Sequence, residues 1–338
     1  MKVLVIGGTS FIGPSVVQRL VDTGHEVTVF NRGQTPADLP QGVGRITGAR
    51  EAIGEFRGQF EKLAPDVAID MRPMSERDIQ LVVDAVKGIV SRVVAISSLD
   101  VYQAFGRLTG SEPGPALELP LNEDSPLRER LFPYRSEDGL PADDPNAWRA
   151  DYDKILVERV VLGDLDLPGT MLRLPMVYGP RDRQHRFRSF VKRMDDGRSA
   201  IPLAESYAGW RSSWGFVDDI AAAIALAATD ERAAGRLYTL SETEHPTMAE
   251  IVQTLADRVG WEGQVVTVPD ETRSPGINTE QHLVCDSSRI RQELGYQEVT
   301  PRDEAWERTI AWEREGDPPV NPAEFDYEAE DELLRKYG

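Results

Sequence analysis

The sequence predicts an α/β protein: a doubly wound parallel sheet with a smaller C-terminal lobe. Three observations predict it. Lys2-Val3-Leu4-Val5-Ile6 is a short, β-branched run closed by glycine, which reads as a strand buried on both faces. Val16, Val17, Leu20 and Val21 follow at helical spacing, and Glu26 to Phe30 is a second strand, so the chain opens on a β-α-β unit. Strands and helices then keep alternating, which is the pattern of a parallel sheet covered on both sides.

Each element has its own signal. Pro14 sits where a first-turn proline is tolerated, and Asp22-Thr23-Gly24 ends the first helix. Residues 32–59 are rich in Gly, Arg and Gln and read weakly. Asp66 to Ile69 is a strand, Ile79 to Val86 an amphipathic helix, and Arg92 to Ile96 a strand ending at Ser97-Ser98. Residues 103–147, with many prolines and mixed charge, read as a long insertion with little regular structure; a lid and an inert surface loop are both open readings. Tyr152 to Leu162 is helical, Thr170 to Leu174 a strand, Phe216 to Thr229 a short strand that becomes an alanine-rich helix. Leu237 to Leu240 is a strand and Thr247 to Val259 a helix. The expected organisation is a nucleotide-binding domain over 1–178, to which 216–243 return, with a substrate-binding lobe from 179–215 and 244–316 and a C-terminal appendage over 317–338.

The bulk numbers narrow the function classes. A chain of 338 residues can bury a large core. Its net charge of -19 repels phosphate backbones, so no nucleic-acid partner is expected. Cys285 is the single cysteine, which leaves no internal disulfide framework. Met1-Lys2 runs into an apolar stretch too short for a signal-peptide core. Ile220 to Ala228 is about half the length of a membrane-spanning helix. The expectation is a cytoplasmic protein with no membrane partner. His25, His185, His245 and His282 have no paired-ligand spacing, so no metal site is expected. They form no triad with Ser97 or Ser98, which argues against a hydrolase.

Gly7-Gly8-Thr9-Ser10-Phe11-Ile12-Gly13 lies between a predicted strand and a predicted helix. In that context the glycine spacing is a dinucleotide-binding turn of the Rossmann type. Gly7 permits the tight turn, the small residues through Ser10 let main-chain N–H groups approach a pyrophosphate, and Gly13 lets helix and strand pack closely. Asn31-Arg32-Gly33 ends the second strand, where NAD-specific folds usually carry a carboxylate for the ribose hydroxyl. Neither Asn31 nor Arg32 repels a 2′-phosphate and Arg32 could pair with one, so NADP is the expected cofactor and NAD the alternative.

These residues resemble an extended short-chain dehydrogenase/reductase, of the NAD-dependent epimerase/dehydratase kind, over nearly the whole chain. The resemblance rests on Gly7 to Gly13, on Ser97-Ser98-Leu99-Asp100-Val101-Tyr102, on Leu172 to Pro180, on Phe216-Val217-Asp218-Asp219-Ile220, and on Asp286 to Ile290 with Glu293 to Tyr296. It implies that Thr9, Phe11, Ile12, Ser97, Lys154, Pro175 and Val177 join Gly7, Ser10, Gly13, Asn31 and Arg32 around the cofactor. It also implies chemistry by a serine, a tyrosine and a lysine, where the serine orients the reacting oxygen, the tyrosine exchanges a proton with it and the lysine holds the nicotinamide ribose. By position Ser98 is that serine and Lys154, with Glu158 after it, that lysine. The tyrosine should stand four residues before Lys154, and Ala150 stands there.

Replacements for it can be named. Tyr152 precedes Lys154 by two residues and can reach in if the helix starts late. Asp100 lies where resembling dehydratases carry an acid/base carboxylate. The insertion could supply a residue such as Tyr134, while Tyr102 and Tyr178 read as packing around the cofactor pocket. Arg181 and Arg211 are candidate holders of an anionic substrate group. The leading expectation is an enzyme acting on a hydroxyl or carbonyl carbon of a sugar or sugar nucleotide, with Ser98, Lys154 and either Tyr152, Asp100 or water at the reaction centre. A homodimer is the expected assembly, because resembling enzymes often pair through the lysine-bearing helix. The rival is a dinucleotide-binding sensor or interaction protein without turnover. A third reading, from a resembling branch with plastid RNA-binding members, is opposed by the charge of -19.

Overall fold

The structure, a computed structural model, describes residues 1–135, 139, 141, 144, 146–315 and 322–338. Parts of the predicted insertion and the start of the predicted appendage, from 317 to 321, therefore lie outside the described residues. The strands in chain order are β1 (Lys2–Ile6), β2 (Glu26–Asn31), β3 (Gly44–Thr47), β4 (Val67–Asp70), β5 (Arg92–Ser98), β6 (Gly169–Leu174), β7 (Met176–Tyr178), β8 (Ala200–Ala204), β9 (Trp214–Phe216), β10 (Leu237–Thr239) and β11 (Gln264–Val268). Among the helices are α1 (Ile12–Asp22), α2 (Arg57–Leu63), α3 (Glu76–Val86), α4 (Gln103–Thr109), α5 (Lys154–Gly163), α6 (Arg188–Asp195), α7 (Glu205–Ala208) and α8 (Val217–Thr229).

Seven strands form one sheet in the order β10-β6-β5-β4-β1-β2-β3, and every pair in it is parallel. Alternate side chains of the buried strands feed opposite faces. Val3, Val5, Val29 and Ile69 join Val17 and Leu20 of α1 and Ile220 and Ile224 of α8 in one core. Leu4, Ile6, Phe30 and Ala68 join Ile79 and Val83 of α3 and Val157 and Val161 of α5 in the other. This is the doubly wound α/β arrangement that the alternating pattern predicts. The strand order reverses between β1 and β4, which opens a crevice at their C-terminal ends, beside Ile6, Asn31 and Asp70. Two further parallel pairs, β7 with β9 and β8 with β11, lie outside this sheet.

Three local readings are corrected. Residues 32–59 hold β3 and the start of α2, whose short runs carry too little apolar periodicity to be seen in sequence. The insertion contains α4, and it is tied down by isolated bridges from Tyr102 to Leu127 and from Leu121 to Cys285. The helix expected from Tyr152 starts at Lys154, because the Asp153 carboxylate accepts the Ile155 N–H and caps it there. Among the described residues no helix is long and apolar enough to cross a membrane, and no group of three or more His, Cys, Asp or Glu could hold a metal ion.

Candidate active site

The turn after β1 is built for close approach. Gly7 has a φ of 86° and donates its N–H to the Phe30 carbonyl. A Cβ on Gly13 would stand 2.6 Å from the Gly8 carbonyl carbon, so only glycine lets the start of α1 sit against the turn. No side chain caps α1 and its first turn holds no acid. The positive end of the helix therefore faces an anion without a competing cap or acid, although the Gly13 N–H is taken by the Ser10 carbonyl. Phe11, at the N-cap with φ 43°, and Ile12, the first helical residue, shape this turn.

Gly7, Thr9, Ser10, Asn31 and Arg32 line a cavity of about 670 Å³ at the C-terminal ends of β1, β2 and β4. The size and the donor set suit a dinucleotide. The same cavity gathers Arg50, Arg72 and Trp148, which the sequence reading missed, and Arg183, which lies in the basic stretch that follows Arg181. Arg50 is committed to Asp70 through two hydrogen bonds of 2.6 and 2.7 Å. Arg72, two residues beyond β4, forms no ion pair with any described residue. Burial, and then the neighbouring charges of Arg50, Arg32 and Arg183, push its pKa down. Arg32, Arg50, Arg72 and Arg183 thus share one cavity with the carboxylates of Glu51 and Asp78, while Arg50 is held by Asp70. A strand end at the crevice was the signal available for Arg72.

Other expected cofactor contacts are placed elsewhere. The Ser97 hydroxyl donates to Glu158 at 2.5 Å, and Glu158 takes two hydrogen bonds of 2.9 and 2.8 Å from the buried Arg173. Pro175 packs near Gly215, the Val177 carbonyl accepts from Arg186, and neither lines the cavity. Gly13, Phe11 and Ile12 are not among the residues that line the cavity.

Beyond the end of β5 the structure brings Ser98, Asp100, Tyr152 and Lys154 together. The Tyr152 hydroxyl donates to Asp100 Oδ2 at 2.7 Å, and the nearby Ser98 side chain partly offsets the rise in its pKa. The Lys154 ammonium stands 5.7 Å from the centre of the Tyr152 ring and donates to the carbonyls of Pro73 and Ile96 at 2.6 and 2.9 Å. Tyr152 reaches this place because it precedes α5 in an extended turn, where helical spacing does not constrain it. Tyr134 also donates to Asp100 Oδ2, at 3.0 Å, and its ring and that of Trp148 flank Tyr152 at 5.1 and 5.6 Å.

Burial dominates the electrostatics. It raises the Asp100 carboxyl above the ordinary range, against the hydrogen bond from Tyr152 and the charge of Arg128. It raises the Tyr152 phenol well above 10.0, reinforced by Asp100 and Tyr134. It lowers Lys154 to about 8, opposed by Asp100 and Asp70. Such a phenol holds its proton until a strong base, such as a nascent alkoxide, is presented to it.

The remaining candidates stay apart. The Tyr102 hydroxyl is hydrogen-bonded to Thr239 at 2.6 Å, and Tyr178 stacks on Trp306 at 5.0 Å inside an aromatic cluster. Arg181 reaches Ser15 of α1 at 3.4 Å. Arg211 donates to the His245 carbonyl and pairs with Glu250 at 3.4 Å, in a groove that shares no residue with the cofactor cavity.

A seven-stranded Rossmann sheet with a glycine turn at its crevice defines a dinucleotide-binding α/β protein. The chain belongs to the NAD-dependent epimerase/dehydratase family, whose sequence profile matches residues 3–240. It is 27% identical to the 2′-dehydrokanamycin reductase of Streptomyces kanamyceticus, over 86% of this chain and 76% of that one. It is 22% identical to the chloroplast stem-loop binding protein of 41 kDa b of Arabidopsis thaliana, over 77% of this chain and 64% of that one. The fold is similar to that of dTDP-glucose 4,6-dehydratase from Bacillus anthracis in complex with NAD, with a TM-score of 0.66, 16% identity, and coverage of 94% and 97%.

Proposed function

We propose that this protein is an NADP-dependent reductase of a carbonyl group in a sugar or sugar-derived substrate. The observation that carries the reading is the convergence of Tyr152 with Asp100 and Lys154 near Ser98, which supports Tyr152 as the phenol in place of the family's usual tyrosine, where Ala150 stands. A phenol that holds its proton tightly suits the direction in which a carbonyl oxygen becomes an alcohol. The relative that reduces 2′-dehydrokanamycin and the fold neighbour named for dTDP-glucose support sugar-like chemistry.

The glycine turn and the start of α1 would hold the pyrophosphate, and Arg32 and Arg72, which line the cavity and form no ion pair with any described residue, support a 2′-phosphate and so NADP. When bound, the reduced nicotinamide supplies the hydride. Ser98 orients the substrate oxygen, Tyr152 donates the proton to it, and the Lys154 ammonium stabilises the phenolate left behind.

The test is direct. Nucleotide released from the freshly denatured protein is identified by mass spectrometry, and NADPH oxidation is followed at 340 nm with 2′-dehydrokanamycin and a panel of keto-sugars. Bound or preferred NADP(H) with turnover supports the reading. Tight binding with no turnover on any carbonyl supports a dinucleotide sensor instead.

A further inference from the structure

The insertion between α4 and α5 contributes one side chain to the buried centre. Tyr134 and Tyr152 donate to the same atom, Asp100 Oδ2, at 3.0 and 2.7 Å. Orienting Tyr152 needs only one acceptor, so the second phenol requires its own account. Exposure supplies it: Tyr152 and Asp100 are each 5% exposed, whereas Tyr134 is 38% exposed. The three groups form a line of hydrogen bonds from the reaction centre to a residue whose ring is partly exposed.

The opposite side offers a poorer path. Lys154 is buried and two of its donor positions are taken by the carbonyls of Pro73 and Ile96. Arg128 faces the carboxylate too, but its Nε donates to the Asp100 main-chain carbonyl, and as a guanidinium it does not release protons. Arg149 lies near Tyr134. Asp100 Oδ1 is buried with no hydrogen-bond partner among the described residues, so Oδ2 is the atom through which they connect to this carboxyl.

We propose that Tyr134, Asp100 and Tyr152 form a proton relay in which Tyr134 takes protons from water and passes them through Asp100 Oδ2 to the Tyr152 phenolate. The proposal rests on Tyr152 being the proton donor to the substrate oxygen. The O–H bond of Tyr152 breaks as its proton goes to that oxygen. The Tyr134 O–H bond then breaks, its proton passes to Asp100 Oδ2 and from there to the Tyr152 phenolate, and water reprotonates Tyr134, leaving hydroxide. One solvent proton is drawn for each substrate oxygen protonated. Because both phenols meet one oxygen, no rotation of the carboxyl is needed. Tyr134 is a relay residue and makes no substrate contact.

The experiment reads the hydroxyl proton itself. The full-length protein is labelled with ¹³Cζ-tyrosine, and hydroxyl exchange at Tyr152, assigned by loss of its signal in Tyr152→Phe, is measured from the hydrogen/deuterium isotope shift on Cζ. Tyr134→Phe keeps the ring contacts with Phe105 and Tyr152 and removes the hydroxyl. The relay requires exchange at Tyr152 to slow by about tenfold or more in Tyr134→Phe and likewise in Asp100→Asn. A residue that only braces the site would leave exchange unchanged or, by loosening it, faster; either result overturns the relay. Turnover separates the two levels: activity retained in Tyr152→Phe defeats the functional reading, whereas unslowed exchange in Tyr134→Phe with an inactive Tyr152→Phe defeats the relay alone.

Discussion

The Tyr152 hydroxyl donates to Asp100 Oδ2 at 2.7 Å across a separation of 52 residues. Asp100 follows β5, and Tyr152 precedes α5. Their contact joins two crossover segments at the C-terminal end of the sheet, which is where an α/β fold positions its chemistry.

Tyr152→Phe should leave the fold intact, because the aromatic contacts to Tyr134 and Trp148 need only the ring. Turnover should fall by about 10²- to 10⁴-fold with substrate affinity largely retained, the usual effect of removing a positioned acid. Steady-state kinetics on the variant check this, and unchanged kcat would remove Tyr152 from the reaction centre.

Lys154 gives a signed pH dependence. Burial lowers it to about 8 from the ordinary 10.5. Between those values the unfolded chain binds more protons than the folded one, so this group's contribution to stability rises with pH through that window. Denaturant unfolding of the wild type and Lys154→Met at pH 7 and pH 10 should show the wild type gaining on the variant by on the order of 1–3 kcal/mol. A constant difference would count against the shift.

Gly13→Ala tests the cofactor turn. The new Cβ would stand 2.6 and 2.8 Å from Gly8 main-chain carbon atoms, which cannot yield as a flexible side chain can. The variant should lose about 1–3 kcal/mol of stability and most of its dinucleotide affinity. Calorimetric titration with NADPH, beside a thermal melt, measures both.

Arg72→Ala addresses cofactor choice. If Arg72 meets a 2′-phosphate, the Kd for NADPH should rise about 10- to 100-fold while that for NADH changes little. An equal loss for both nucleotides would assign Arg72 to the pyrophosphate or to the cavity wall.

Glu158 is expected to matter for stability. It is 4% exposed, accepts from Ser97, and neutralises Arg173, which is 2% exposed. Glu158→Leu would strand a buried guanidinium, with an expected cost of about 3–5 kcal/mol. A thermal melt close to that of the wild type would show that the site adapts.

Much of the fold is legible in the chain. The runs Lys2–Ile6 and Arg92–Ser98, the apolar stripe of Ile79, Val82, Val83 and Val86, and the glycine turn all signal locally, because burial on a strand or helix is imposed by residues one to four positions away. β3 and α2 escape this reading because each is too short to establish a period.

The doubly wound sheet, the dinucleotide turn at Gly7 to Gly13 and the loss of the usual tyrosine at Ala150 are all readable from the order of residues. The sequence also assigned Ser98 and Lys154 by position and named Tyr152 and Asp100, with Tyr134 as an example from the insertion, as replacements for the missing tyrosine. Only the tertiary structure decided which meet, turning Tyr102 toward Thr239 and bringing Tyr134 and Tyr152 to one carboxylate oxygen. It also gathered Arg32, Arg72 and Arg183 around one cavity and left Arg211 in another. The physical reason is range: secondary structure is set by neighbours along the chain, whereas a site is assembled from strand ends and loops tens of residues apart, whose approach depends on how the whole core packs.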